Sequence, residues 1–169
     1  MNKKTLILED DLNLAQSLAQ EFTEHGYDVI KASQFSEVPE DVQLDFAVID
    51  LRLKGEFGLN VLEKLKTRSP LCRIVVLTGY GSITTAVEAV KLGAVDYLTK
   101  PASFEMIEQA LLGQKLESTD KTGDSPSLSQ IEHEYINYVL TKNKGNISKS
   151  ARELGLHRQS LQRKLKKYT

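Results

Sequence analysis

The sequence predicts an α/β fold: a five-stranded parallel sheet with helices on both faces, followed by a small all-α unit. Three observations predict it. Over residues 1–112, short apolar runs alternate with stretches of helical period. Carboxylates, a threonine and a lysine stand where those runs end. Beyond them the composition turns polar and then basic.

The strand-length runs are TLILE (5–9), DVIKA (28–32), FAVID (46–50), RIVVLT (73–78) and VDYLT (95–99). Runs this apolar, without alternation, suit strands buried on both faces. The first helix is written by Leu14, Leu18 and Phe22, the third by Leu59, Leu62 and Leu65, and the fourth by Ile83, Ala86, Val87 and Val90. A fifth follows Pro101 through Phe104, Ile107 and Leu111. A second, near 34–42, is weakly written and cut short by Pro39. Parallel strands need right-handed helical crossovers, which five helices supply.

Residues 113–127, GQKLESTDKTGDSPS, read as a polar stretch opening into a linker. Ser129 and Glu132 form a capping box for a helix to about Lys142, with Ile131, Tyr135, Val139 and Leu140 inward. Two short helices complete the tail, about 148–154 and 158–167, with Gly155 ending the first. The expected division is 1–117, linker 118–127, and 128–169.

The chain has 169 residues, 40% hydrophobic and 27% charged, which fits a soluble globular protein. No apolar stretch reaches the ~18 residues a membrane span needs, and MNKKTLILEDD lacks the apolar core of a signal peptide. The lone Cys72 reads as a buried thiol and fits a reducing cytoplasm. His25, His133 and His157 have no metal-site spacing. The net charge of −1 hides an asymmetry. Residues 1–112 carry 11 Lys+Arg against 17 Asp+Glu, and residues 138–169 carry 9 against 1. A basic module points to a polyanionic partner.

Parallel α/β sheets place ligands at the carboxyl ends of their strands. Those ends deliver Glu9-Asp10-Asp11, Asp50, Thr78-Gly79 and Thr99-Lys100-Pro101. Two carboxylates ~4 Å apart repel by roughly 4 kcal/mol at an effective dielectric near 20, so the cluster needs a counter-charge. Oxygen ligands suit Mg²⁺. With such an ion, Asp50 could attack phosphorus to form an acyl phosphate, with Lys100 and the Thr78 hydroxyl stabilising the phosphoryl oxygens. Each residue alone has a plainer reading: Asp50 as a turn residue, Asp10-Asp11 as a helix cap, Lys100-Pro101 as a solvated turn. Their joint occurrence at the strand ends favours chemistry. Other enzyme classes fit less well. GYGSIT (79–84) has Thr84 where a dinucleotide fingerprint needs glycine, and Arg52 stands where an aspartyl phosphatase needs a second acid.

With these residues in that order, residues 3–117 resemble the receiver domain of two-component response regulators, and VLTGYGSITTAVEAVKLGAVDYLTKP is similar to receivers of the nitrogen-regulator type. The resemblance implies a flavodoxin-like sheet and Asp50 as phosphoacceptor. It implies Mg²⁺ held by Asp10, Asp11, Asp50 and the Arg52 backbone carbonyl, with Glu9 a weaker ligand. Thr78 and Tyr97 resemble the switch pair, and Thr78 and Lys100 fall at the family's phosphoryl-contacting positions. Gly58, eight residues past the acceptor, is present, while Leu53-Lys54 replaces the Met-Pro of many receivers, which implies a looser loop and a different choice of kinase.

GNISKSARELGLHRQSLQRKLKKY (145–168) has helix-turn-helix grammar. Ala151 is small at a helix crossing, Gly155 permits the turn, and Ile147, Leu154, Leu156, Leu161 and Leu165 supply a core. Arg158, Gln159, Gln162, Arg163 and Lys166 then face outward, as a recognition helix requires. An amphipathic helix for a protein or membrane surface is the other reading. The segment from about 128 closely resembles the Fis-type DNA-binding module, which makes Arg158, Ser160 and Arg163 the expected DNA contacts, with His157 opening the helix. Receiver, short linker and Fis-type tail together resemble the ActR/RegA/PrrA group of redox-responsive regulators, and the missing ATPase domain separates the chain from sigma-54 activators.

The expectation is a cytoplasmic transcriptional regulator with no substrate beyond its own Mg²⁺-dependent phosphorylation and dephosphorylation. A sensor histidine kinase would phosphorylate Asp50, favouring a homodimer that binds double-stranded DNA at an inverted repeat. Residues 82–92, or Ile131, Tyr135 and Val139, would form the dimer surface. An architectural DNA binder and a phosphate relay with a protein-binding tail are the competing readings.

Overall fold

The computed structural model describes residues 1–79, 82–114 and 128–167. Its sheet contains β1 (Lys4–Leu8), β2 (Asp28–Ala32), β3 (Phe46–Asp50), β6 (Arg73–Thr78) and β7 (Asp96–Thr99), in the order β2-β1-β3-β6-β7 with every pair parallel. The order reverses at β1, which puts the ends of β1 and β3 on either side of a topological switch point.

Successive residues of the central strands alternate between two cores, as the period of two demands. Leu6, Leu8, Ala47, Ile49, Ile74 and Val76 join Leu59, Leu62 and Leu65 of α2 (Gly58–Arg68). Ile7, Val48, Val75 and Leu77 join the other face, with Leu18 and Phe22 of α1 (Leu12–Glu24) and Phe104, Ile107 and Leu111 of α4 (Phe104–Leu112). Cys72 is buried, and burial pushes its thiol up to about 12. Among the described residues, no helix is long and apolar enough to cross a membrane.

Two expectations need correcting, and the facing of one further helix goes beyond what the sequence predicts. The second helix is only a 3₁₀ turn, Phe35–Glu37, because Pro39 follows at once. The loop after Asp50 is not open. It pairs as a hairpin of β4 (Arg52–Leu53) and β5 (Glu56–Phe57), closed by Gly55 at φ +71°. The apolar stripe of α3 (Ile83–Lys91) faces outward: Ile83, Val87 and Val90 are exposed, while Thr85 and Ala89 are buried.

Gly58 begins α2 directly against the acceptor strand. A Cβ there would lie 2.4 Å from the Asp50 carbonyl oxygen and 2.8 Å from Leu51 Cα. Both neighbours are backbone and cannot swing away. Gly58→Ala is expected to cost ~1–3 kcal/mol by overpacking, read as a lower unfolding midpoint in denaturant. An unchanged midpoint would refute the close approach.

In the tail, α5 (Leu128–Lys142), α6 (Ile147–Glu153) and α7 (Arg158–Lys167) enclose Ile136, Ala151 and Leu161, with Leu140, Ile147, Leu154, Leu156 and Leu165 around them. Asn146 caps α6 by accepting from the Lys149 N–H, and Gly155 turns the chain at φ +68°. Tyr135 is exposed and Ile136 takes its inward place, while Val139 is fully buried and so cannot serve as dimer surface. The linker 118–127, Tyr80 and Gly81 lie outside the described residues, as do the Ser129 and Ile131 side chains.

Candidate functional site

Each strand end delivers its polar group to one rim. The carboxylates of Glu9, Asp10 and Asp50 bring oxygens within 4.8 Å of one another. Glu9 and Asp50 are almost fully buried. The Lys100 ammonium bridges them, 2.6 Å from Glu9 Oε2 and 3.2 Å from Asp50 Oδ2. Backbone N–H groups complete the set: Asp11 donates to Glu9 Oε1 at 3.0 Å and Arg52 to Asp50 Oδ1 at 3.2 Å. Lys100 is held in place by its own N–H, which donates to the Thr78 carbonyl at 2.7 Å, and its peptide bond to Pro101 is cis.

Burial raises the Glu9 carboxyl above its ordinary value, against the lowering effect of Lys100 and the Asp11 N–H. Burial disfavours the Lys100 charge, but Glu9 and Asp50 outweigh it and hold the ammonium above the usual lysine value. Asp11 stands apart from the converging trio. Its Oδ1 caps α1, accepting from Asn13 and Leu14 at 3.0 and 3.1 Å. Glu9, rather than Asp11, completes the trio with Asp10 and Asp50.

Thr78 is fully buried, and its hydroxyl donates to Glu134 Oε1 of α5 at 2.9 Å. Tyr97 packs its ring on the core, with its hydroxyl 2.8 Å from Thr85 Oγ1; burial pushes its phenol up to about 12. The rim opens into a cleft of about 820 Å³ that includes Asp10, Asp11, Asp50, Arg52 and Lys100, and also His133, Asn137 and Leu165 from the tail. Sequence reasoning missed Glu134, His133 and Asn137. Nothing in their spacing marks them, because a polar residue on an amphipathic helix normally faces water.

The tail presents a second surface. His157, Arg158, Gln159, Arg163 and Lys166 are exposed and Ser160 and Gln162 half-buried along α7. Lys164 instead pairs with Glu132 of α5, tying the two helices together.

Residues 5–112 match the family model of the response regulator receiver domain, and residues 127–168 that of the Fis family of bacterial regulatory proteins. The chain is 41% identical over 170 residues to the photosynthetic apparatus regulatory protein RegA of Cereibacter sphaeroides, covering 98% of this chain and 92% of that protein. It is 39% identical over 169 residues to the acid tolerance regulatory protein ActR of Rhizobium meliloti, covering 98% and 87%. A response regulator from Burkholderia pseudomallei, crystallised with a phosphorylated aspartic acid, calcium ion and citrate, superposes with a TM-score of 0.63 at 35% identity, covering 96% of this chain and 98% of that one. The beryllofluoride-activated NtrC4 receiver domain dimer gives 0.61 at 29% identity, covering 65% and 93%. A doubly wound receiver sheet and a Fis-type helical tail, similar over nearly the whole chain to RegA and ActR, make this protein a member of the two-component response regulators, a transcriptional regulator of the ActR/RegA/PrrA group.

Proposed function

We propose that the protein is switched by phosphorylation of Asp50 and binds promoter DNA through α7. The observation that carries this reading is the trio Glu9, Asp10 and Asp50 converging on one rim with Lys100 between them. Hard oxygen donors in a cleft with room for water suit Mg²⁺. Glu9, Asp10, Asp50 and the Arg52 carbonyl would hold it, with Asp11 at the edge of the site. When bound, the ion offsets the negative charge of the cluster and of the incoming phosphoryl group.

Asp50 supplies the nucleophilic carboxylate oxygen. As its bond to phosphorus forms, the P–N bond of the kinase's phosphohistidine breaks and its electron pair leaves on the imidazole nitrogen. Lys100 pairs with a phosphoryl oxygen, and Thr78 donates its hydroxyl to another. Tyr97, beside Thr85, is the aromatic partner of that switch.

The product carries about −1.5 to −2 additional charge. It favours a receiver dimer, for which the exposed Ile83, Val87 and Val90 of α3 form the apolar surface. Two tails then address an inverted repeat through Arg158, Ser160 and Arg163, with His157, Gln159, Gln162 and Lys166 around them. A sensor histidine kinase is the phosphoryl donor, and the setting is the cytoplasm. The chain acts on no substrate other than itself. With Mg²⁺ and acetyl phosphate, wild type is expected to gain one hydroxylamine-labile phosphoryl group and Asp50→Asn none, read by intact-protein mass. Equal labelling of the variant would reject the acceptor.

A further inference from the structure

We propose that Lys54, at the tip of the β4–β5 hairpin, determines which phosphoryl donors the acceptor site takes: it draws dianionic donors, small acyl phosphates among them, to Asp50. This rests on Asp50 being the phosphoacceptor.

The hairpin is a fixed lip on the cleft. Arg52 pairs with Phe57 and Leu53 with Glu56, which leaves Lys54 and Gly55 as the turn. Gly55 takes the positive φ that the turn needs. One strand is anchored by Leu53, buried in the core with Leu59 and Leu62 of α2. The other is anchored by Glu56, whose carboxylate pairs with Lys64 of the same helix. Lys54 is exposed, and it lines the same cleft as Asp50. Its ammonium is therefore carried at the mouth of the acceptor site on a support tied down at both ends.

That charge is uncommitted. Lys100 is bound between Glu9 and Asp50, and the Arg52 charge acts on Glu134 and His133. The Lys54 ammonium has no ion pair or hydrogen bond among the described residues. Glu9, Asp10, Asp11 and Asp50 line the cleft as well, and four carboxylates repel an approaching dianion. A cation at the entrance counters that repulsion and raises the local concentration of donor. On arrival the Asp50 carboxylate oxygen bonds to phosphorus. The bond from phosphorus to the acyl oxygen breaks, and its electron pair leaves on that oxygen as a carboxylate. Lys54 acts on the approach and transfers no proton.

The test labels the full chain with Mg²⁺ at neutral pH. The donors are acetyl phosphate, a dianion, and phosphoramidate, which carries a single net negative charge. Intact-protein mass gives the initial rates. At low ionic strength Lys54→Ala is expected to slow labelling by acetyl phosphate about fivefold, and by phosphoramidate less than about twofold. Lys54→Arg is expected to retain most of the acetyl phosphate rate, and Lys54→Glu to fall below Lys54→Ala. Near 1 M salt, where charges are screened beyond ~3 Å, the gap between wild type and Lys54→Ala is expected to close to within about twofold. Equal acetyl phosphate rates in wild type and Lys54→Ala, an equal loss with both donors, or a gap unmoved by salt overturns the role of Lys54. Labelling of Asp50→Asn at the wild-type rate overturns the acceptor reading, and the role of Lys54 with it.

Discussion

Replacing Lys100 with methionine is expected to destabilise the chain by ~3–5 kcal/mol, the loss typical when one partner of a buried pair is removed. Lys100 lies between Glu9 and Asp50, whose side chains are 3% and 9% exposed, against 22% for its own. Methionine fills much of the volume, so the loss is of charge compensation rather than packing. Two buried carboxylates would then face each other without a cation. The pH dependence gives the sign. Because Lys100 titrates above the usual 10.5 in the folded chain, its contribution is complete below 10.5 and is lost only as pH rises through the folded value. Glu9 runs the other way. Its raised carboxyl pKa means that ionised Glu9 costs stability as pH climbs from 4.5 through the folded value. Without Lys100 that penalty grows. The deficit of Lys100→Met should therefore be largest at neutral pH and shrink as pH falls toward 4.5. Denaturant unfolding at several pH values reads both. A deficit independent of pH would show that the pair contributes little.

The second large effect concerns DNA. Arg158→Ala with Arg163→Ala is expected to weaken operator binding at least about thirtyfold, since each good base-reading contact contributes ~1–3 kcal/mol. Both side chains are exposed and lie outside the tail core. Folding stability should therefore stay within ~0.5 kcal/mol of wild type, which separates lost recognition from lost structure. If the two arginines read bases, discrimination between operator and random DNA falls along with affinity. If they only touch phosphates, affinity for both falls together and the salt dependence flattens. Unchanged operator binding would remove α7 as the recognition helix.

The sequence by itself determined the elements whose signals are local. FAVID reads as a strand buried on both faces because it is a short unbroken apolar run, and all five of its residues are buried. The parallel-sheet rule then sends Asp50, Glu9, Thr78 and Lys100 to one rim without any knowledge of distances. The tail core was legible for the same reason: Ile147, Leu154, Leu156, Leu161 and Leu165 repeat at helical spacing around Ala151. What only the tertiary structure decided are the matters of facing and docking. A run of Ile83, Val87 and Val90 specifies an apolar face but not whether another element covers it, and here none of the sheet does. Tyr135 and Ile136 are neighbours, and only the approach of α6 and α7 chose which of them is buried. Glu9 joins Asp10 and Asp50 in one cluster, whereas Asp11 already caps the next helix. The Thr78–Glu134 bond joins two modules across 56 residues. No period encodes such a contact, because it depends on how one folded surface meets another.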